Sequence, residues 1–78
     1  MKVEILTPEK SIYKGEATLV SLPGVDGGMG IMDNHAPLIT TLKEGKVKLV
    51  QNGGKEELFD VKGGTVEVLN NKVVILAD

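Results

Sequence analysis

Apolar residues recur along this chain mostly in steps of two, the spacing of half-buried strands rather than of helices. Residues 2–7 set Val3 and Ile5 on one face and Lys2 and Glu4 on the other, which predicts a strand that ends at Pro8. Pro8-Glu9-Lys10 reads as a turn, and Ser11–Glu16 as a second strand in which Gly15 marks a bulge. Residues 17–22 place Ala17, Leu19 and Ser21 on one face and Thr18, Val20 and Leu22 on the other. This third strand is therefore partly apolar on both sides before Pro23-Gly24 turns the chain. Gly27–Met32 reads as a short edge strand and Leu38–Leu42 as another, with Asp33-Asn34-His35-Ala36 as the loop between them. After a turn at Lys43-Glu44-Gly45, residues 46–51 point Val47 and Leu49 inward and the lysines outward. Asn52-Gly53 predicts a type I′ hairpin turn that Gly54 can lengthen, and residues 55–61 return with Phe59 and Val61 as core candidates. Gly63-Gly64 turns the chain again, residues 65–69 present Val66 and Val68, and Asn70-Asn71 leads into residues 73–77. That last run is apolar on both faces, which predicts a central or covered strand.

Glycine and proline leave no room for a helix of roughly ten residues before Thr65, and residues 65–78 are rich in β-branched side chains. About eight to ten short strands, with turns roughly every 8–12 residues, predict an all-β fold. The expected architecture is a compact antiparallel β-sandwich or flattened barrel with no long helix, one domain over residues 1–78.

Composition narrows the function. A chain of 78 residues buries only about 60% of the surface its unfolded form exposes, so modest stability, or stability completed by a partner, is expected. No apolar run approaches the ~18–20 residues that cross a bilayer, and the N-terminus lacks the apolar core of a secretory signal. The expectation is a chain that stays in the compartment where it is made. The absence of cysteine excludes disulfides, thiolate catalysis and cysteine zinc sites. A net charge of −2, with Tyr13 and Phe59 as the aromatic residues, argues against nucleic acid as a partner.

Candidate chemistry concentrates between Leu22 and Leu42, where Gly24, Gly27, Gly28 and Gly30 precede the single histidine. A phosphate cradle needs either a Gly-Lys-Ser/Thr ending or a helix opening straight after the glycines, and neither follows Gly30. His35 with Asp33 suggests acid–base work or a metal pair, but one histidine and no cysteine are too few for a convergent site. A loop-packing or interface histidine is the simpler reading. Glu56, Glu57 and Asp60 form an acidic patch whose adjacent carboxylates point to opposite faces of a strand, so no acid–base couple is implied. Met29 and Ile31, apolar within a glycine-rich segment, suggest either a satellite core cluster or a contact patch. No catalytic residue, metal or cofactor is predicted, and a rigid loop system points to docking.

Leu22-Pro23-Gly24, then Gly27-x-x-Gly30-Ile31, His35-Ala36-Pro37-Leu38 and Thr41-x-x-x-Gly45 resemble the epsilon subunit of the F-type ATP synthase, counterpart of the mitochondrial delta subunit. Tyr13-Lys14-Gly15, Gly63-Gly64-x-Val66-Glu67-Val68 and Val73-x-Ile75-Leu76-Ala77-Asp78 extend the similarity along the chain. The resemblance implies a non-catalytic β-sandwich of the central stalk that rotates with the gamma subunit and the c-ring and couples ion translocation to ATP synthesis. It implies c-ring contact around Val25 to Met29, and a gamma and c-ring junction around Asn34 to Pro37. Thr7 and Pro8 are weaker candidates for the same end. The interface residues it nominates are Asp26, Gly27, Gly28, Met29, Ile31, His35, Ala36 and Pro37. Relatives often carry an acidic residue where Gly28 stands, so Asp26 is left to supply any charge contact. The helical hairpin that usually follows, with its autoinhibition and ATP binding, is not encoded within these residues, so neither is expected. The implied location is peripheral, on the cytoplasmic face of the bacterial plasma membrane or its organellar equivalent. The alternative reading is a lipoyl- or biotinyl-type carrier domain modified at Lys72, although the residues that flank a carrier lysine are missing.

Overall fold

The computed structural model describes Met1–Asp78 as nine strands with no helix. They are β1 (Lys2–Leu6), β2 (Ser11–Glu16), β3 (Leu19–Gly24), β4 (Gly27–Met32), β5 (Leu38–Leu42), β6 (Gly45–Val50), β7 (Glu56–Val61), β8 (Gly64–Leu69) and β9 (Lys72–Ala77). Hydrogen bonding links them in the order β2-β1-β9-β8-β5-β3-β6-β7, with β4 added to the other edge of β3. The join between β5 and β3 is a single residue pair, Gly24 with Leu42, so the sheet folds on itself there. One layer is β2-β1-β9-β8-β5 and the other β4-β3-β6-β7. The sandwich expectation holds, with one departure from an antiparallel design: β1 and β9, the two ends of the chain, run parallel.

The period-two pattern fixes what lies between the layers. Val3, Ile5, Val66, Val68, Val73 and Ile75 from one layer meet Val20, Leu22, Ile31, Val47, Leu49 and Val61 from the other, with no buried polar side chain among them. Tyr13 and Phe59 close the rim edge-to-face, their ring centroids 5.5 Å apart. Phe59 is thus half-buried rather than central, and Val61 is in the core. β9 is central, flanked by β1 and β8, and its second apolar face leaves Val74 half-buried and Leu76 exposed.

Two turns and one bulge differ from expectation. Pro23 and Gly24 belong to β3, and the chain reverses two residues later at Val25-Asp26, a two-residue hairpin closed by the pair Gly24 and Gly27. A Cβ on Gly24 would lie 2.7 Å from the Gly27 carbonyl oxygen, so this glycine serves close packing within the strand rather than the turn itself. Gly15 pairs regularly with Val3; the bulge falls at Ile12, where the register shifts between Ile5 and Leu6. Gly15 instead makes room for the Tyr13 ring, whose hydroxyl sits 2.8 Å from the Cβ position. In the β6–β7 loop the positive φ values fall on Gly53 and Gly54, not on Asn52-Gly53. The I′ geometry appears at Asn70-Asn71, with φ of 51° and 60°. A further irregularity explains why Ala17 is buried although its strand-mates by parity, Leu19 and Ser21, face outward. Residues 17 and 18 lie between β2 and β3, where the chain bends and Thr18 donates both its N–H (2.7 Å) and its hydroxyl (3.1 Å) to the Val50 carbonyl, so the alternation restarts at Leu19.

Candidate functional site

The strand registers sort every turn to one of two ends. Leu6, Leu76, Thr65 and Thr41 form one row across the first layer, and the Thr41 carbonyl accepts the Val25 N–H at 3.1 Å. That row gathers the β1–β2 turn with Thr7 and Pro8, the Val25-Asp26 hairpin, Lys43-Glu44 and Lys62-Gly63 at one end. Met32, Leu19, Val50 and Glu56 mark the opposite end, with Met1, the 33–37 loop and Asn70-Asn71. Strand β4 separates the two nominated contact regions by roughly 17–20 Å. Asp26 and Gly27 therefore share an end with Thr7 and Pro8, whereas His35, Ala36 and Pro37 do not.

The Val25-Asp26 end is stiff and charged. Lys43 N–H donates to the Pro23 carbonyl at 2.8 Å, so the hairpin is held from both sides of its base. Asp26 is exposed at the tip, beside an exposed Val25. Gly28 follows on β4, also exposed, while Met29 is half-buried against the core and Ile31 is fully inside it. The two-way reading of Met29 and Ile31 resolves toward the core: Ile31 has no surface left for a partner.

The 33–37 loop is exposed but tethered. Asp33 Oδ1 accepts the Met1 amino nitrogen at 2.5 Å, and the Asn34 N–H donates to Asn71 Oδ1 at 2.8 Å. Asn34 holds a left-handed φ of 62°, a conformation asparagine tolerates better than most side chains. His35 Nδ1 lies 2.7 Å from the Ala36 carbonyl oxygen; the carbonyl can only accept, so Nδ1 donates. Asp33 and His35 do not form a pair, because each is engaged elsewhere. Nor do the side chains assemble three His, Cys, Asp or Glu groups as a metal would require. The acidic patch is dispersed: Lys46 Nζ donates to Asp60 at 2.8 Å, Lys48 Nζ sits 3.6 Å from Glu56, and Gln51 Nε2 donates to Glu57 at 3.0 Å. Lys72 is not at a hairpin tip. It lies within β9, opposite Leu69 and alongside Lys2 of β1, so the carrier-domain reading loses the geometry it needs.

The match to the family model for the ATP synthase delta/epsilon chain β-sandwich domain covers residues 1–78, the whole chain. The chain belongs to that family. An ATP synthase epsilon chain of Brevibacillus brevis is 46% identical over 78 residues, of which this chain spans 59% of the length. An ATP synthase epsilon chain of Chlorobium limicola is 44% identical over 77 residues, and there the chain spans 88%. A chain in the Euglena gracilis mitochondrial ATP synthase OSCP/F1/c-ring structure superposes with a TM-score of 0.90 at 22% identity, covering 96% of this chain and 48% of that one, which establishes a shared fold. On the delta/epsilon sandwich seen here, Gly27-x-x-Gly30-Ile31 is strand β4 and His35-Ala36-Pro37-Leu38 is the tethered loop leading into β5.

One apolar surface lies outside the nominated contact residues. Ile39, Leu69 and Leu76 stand exposed on the outer face of the first layer, with Val74 between them. The two-faced apolarity of residues 73–77 was its signal.

Proposed function

We propose that this chain is a non-catalytic central-stalk subunit of an F-type ATP synthase, docking on the gamma subunit and the c-ring. In that role it helps couple ion translocation to ATP synthesis. What supports the reading most is family membership over every residue, together with relatives near 45% identity that are ATP synthase epsilon chains. The complex is an enzyme; this subunit transmits force within it. A rotor contact must not slip, so turns held by main-chain hydrogen bonds serve better than long polar loops. The Val25-Asp26 hairpin fits that requirement, with Asp26 as its charge and Gly27 and Gly28 letting a partner approach closely. His35, Ala36 and Pro37 supply a second contact at the far end of β4. One neighbour can bridge both ends only by lying along that strand; otherwise two neighbours divide them. The chain works at the membrane as a peripheral component, on the cytoplasmic face in a bacterium, without binding ATP through this domain.

Co-expression with the gamma subunit and the c-ring of the same synthase tests the proposal. The chain is expected to copurify with both, and Asp26→Lys is expected to weaken recovery of the c-ring while the variant melts like the wild type. Recovery of neither partner with the wild-type chain contradicts the assignment. Titration of ATP into the chain, followed by calorimetry, is expected to give no saturable heat.

A further inference from the structure

Two glycines of β4 are not required by the fold that contains them. Gly28 and Gly30 lack the positive φ of Gly27. A Cβ on Gly30 would meet Leu19 Cδ1 at 3.5 Å, and one on Gly28 would find only the Leu22 carbonyl oxygen at 4.0 Å, both ordinary contacts. Gly45, by contrast, would press a Cβ to 2.8 Å from the Pro23 ring. Glycine weakens a strand, and where the strand itself does not need it, another backbone approaching from outside is a physical reason for it.

The same residues carry unpaired main-chain groups. Because the Pro23 carbonyl accepts from Lys43, alternate residues of β3 (Leu19, Ser21 and Pro23) direct their main-chain groups toward β5 and β6. Val20, Leu22 and Gly24 direct theirs toward β4, where they meet Ile31, Met29 and Gly27. Gly28, Gly30 and Met32 therefore turn their N–H groups away from the sheet, and all three are exposed. Of the other edges, β2 is guarded by its bulge and by Lys14 and Glu16, and β7 by Glu56 and Asp60, while the inner edge of β5 meets β3 at Gly24 and Leu42 and gives its Thr41 carbonyl to the Val25 N–H. Strand β4 has no charge, proline or bulge from Gly27 to Met32. The outer face of β3 and β4 carries a shallow groove of about 410 Å³ lined by Ser21, Pro23, Gly28, Gly30 and Lys46 of β6.

We propose that the free edge of β4 docks an extended main-chain segment of the gamma subunit, which adds a strand beside Gly28-Met29-Gly30. The identity of the partner rests on the function proposed above; the mode of docking rests on the edge itself. The N–H groups of Gly28, Gly30 and Met32 donate to the incoming strand, and the missing side chains allow its backbone to lie close.

Binding of purified gamma subunit to the wild-type chain, Gly30→Ala and Gly30→Pro tests this. Proline removes an outward N–H without touching the bonds to β3, and the preceding Met29 is already extended, so the variant is expected to fold. Gly30→Ala keeps the donor and is expected to bind within a few-fold of wild type, whereas Gly30→Pro loses about ten-fold or more. Amide exchange on the wild-type complex reads the same contact without a variant: the Gly30 and Met32 amides become protected. Wild-type affinity in Gly30→Pro, or unprotected amides in a formed complex, overturns strand addition and leaves the rotor assignment standing. Failure of the wild-type chain to bind gamma overturns both. A dimer of the chain that Gly30→Pro abolishes, with gamma binding intact, assigns the edge to a second copy and likewise overturns the proposal.

Discussion

Glycine positions separate into those the fold requires and those it merely contains. At Gly64 the backbone holds φ of 136° and a Cβ would collide with the Leu76 carbonyl oxygen across the β8–β9 pair. Gly64→Ala is expected to cost about 2 kcal/mol or more, read as a lower urea midpoint at unchanged slope. Gly30→Ala is expected to leave the stability of the chain unchanged or raise it by ~0.5–1 kcal/mol, because alanine suits a strand better than glycine. The glycine-rich stretch invites the view that Gly30 holds a special backbone shape that a β-branched residue would distort. The structure gives it ordinary strand geometry, with the nearest neighbour of an added Cβ at 3.5 Å, so Gly30→Val is expected to fold as well. Sequence alone shows that glycines are dense there; it does not show which φ each adopts, since a turn glycine and an edge glycine are spelled alike.

Between elements, the loop after β4 depends on a hairpin far away in sequence. Asn71 serves twice, adopting a left-handed φ in the I′ turn and accepting the Asn34 N–H through Oδ1. Asn71→Gly removes the acceptor but keeps the turn, at an expected cost of about 0.5–1.5 kcal/mol. Asn71→Ala loses both and is expected to cost about 1 kcal/mol more. Faster exchange of the Asn34 amide in both variants is the accompanying sign that the loop has been freed. The strands themselves were legible from alternation and punctuation: all nine are foreseen within a residue or two, because half-buried strands must alternate. Two things were not. Proline and glycine usually end strands, so Pro23-Gly24 reads as the turn, yet both sit inside β3 and the chain reverses two residues on. The bend at Thr18, which separates Ala17 from β3, has no compositional mark, since it is held by two donors sharing the Val50 carbonyl.

In the whole molecule, a small aliphatic core with no buried polar group carries the fold. Val47→Ala removes a fully buried side chain and is expected to cost ~2–3 kcal/mol, lowering the melting temperature by about 10 °C or more in a domain of this size. Topology also decides what the sequence left open about the candidate site. Residues 25–37 look like one continuous contact segment in the linear chain, yet β4 places its two halves at opposite ends of the sandwich. Burial of Ile31 could be guessed from its alternation with Met29, but separation of Asp26 from His35 required the pairing with β3. The family resemblance supplied the expectation of docking, and the geometry supplies its form: a stiff charged hairpin, a tethered loop and an unguarded strand edge between them. The domain is proposed to join a rotor and improve its coupling. ATP-driven proton pumping by membranes stripped of their own epsilon subunit, measured before and after adding the purified chain, tests it most directly. Pumping is expected to be restored by the wild-type chain and restored less by Asp26→Lys. Unchanged pumping, with no chain retained on the washed membranes, would contradict it.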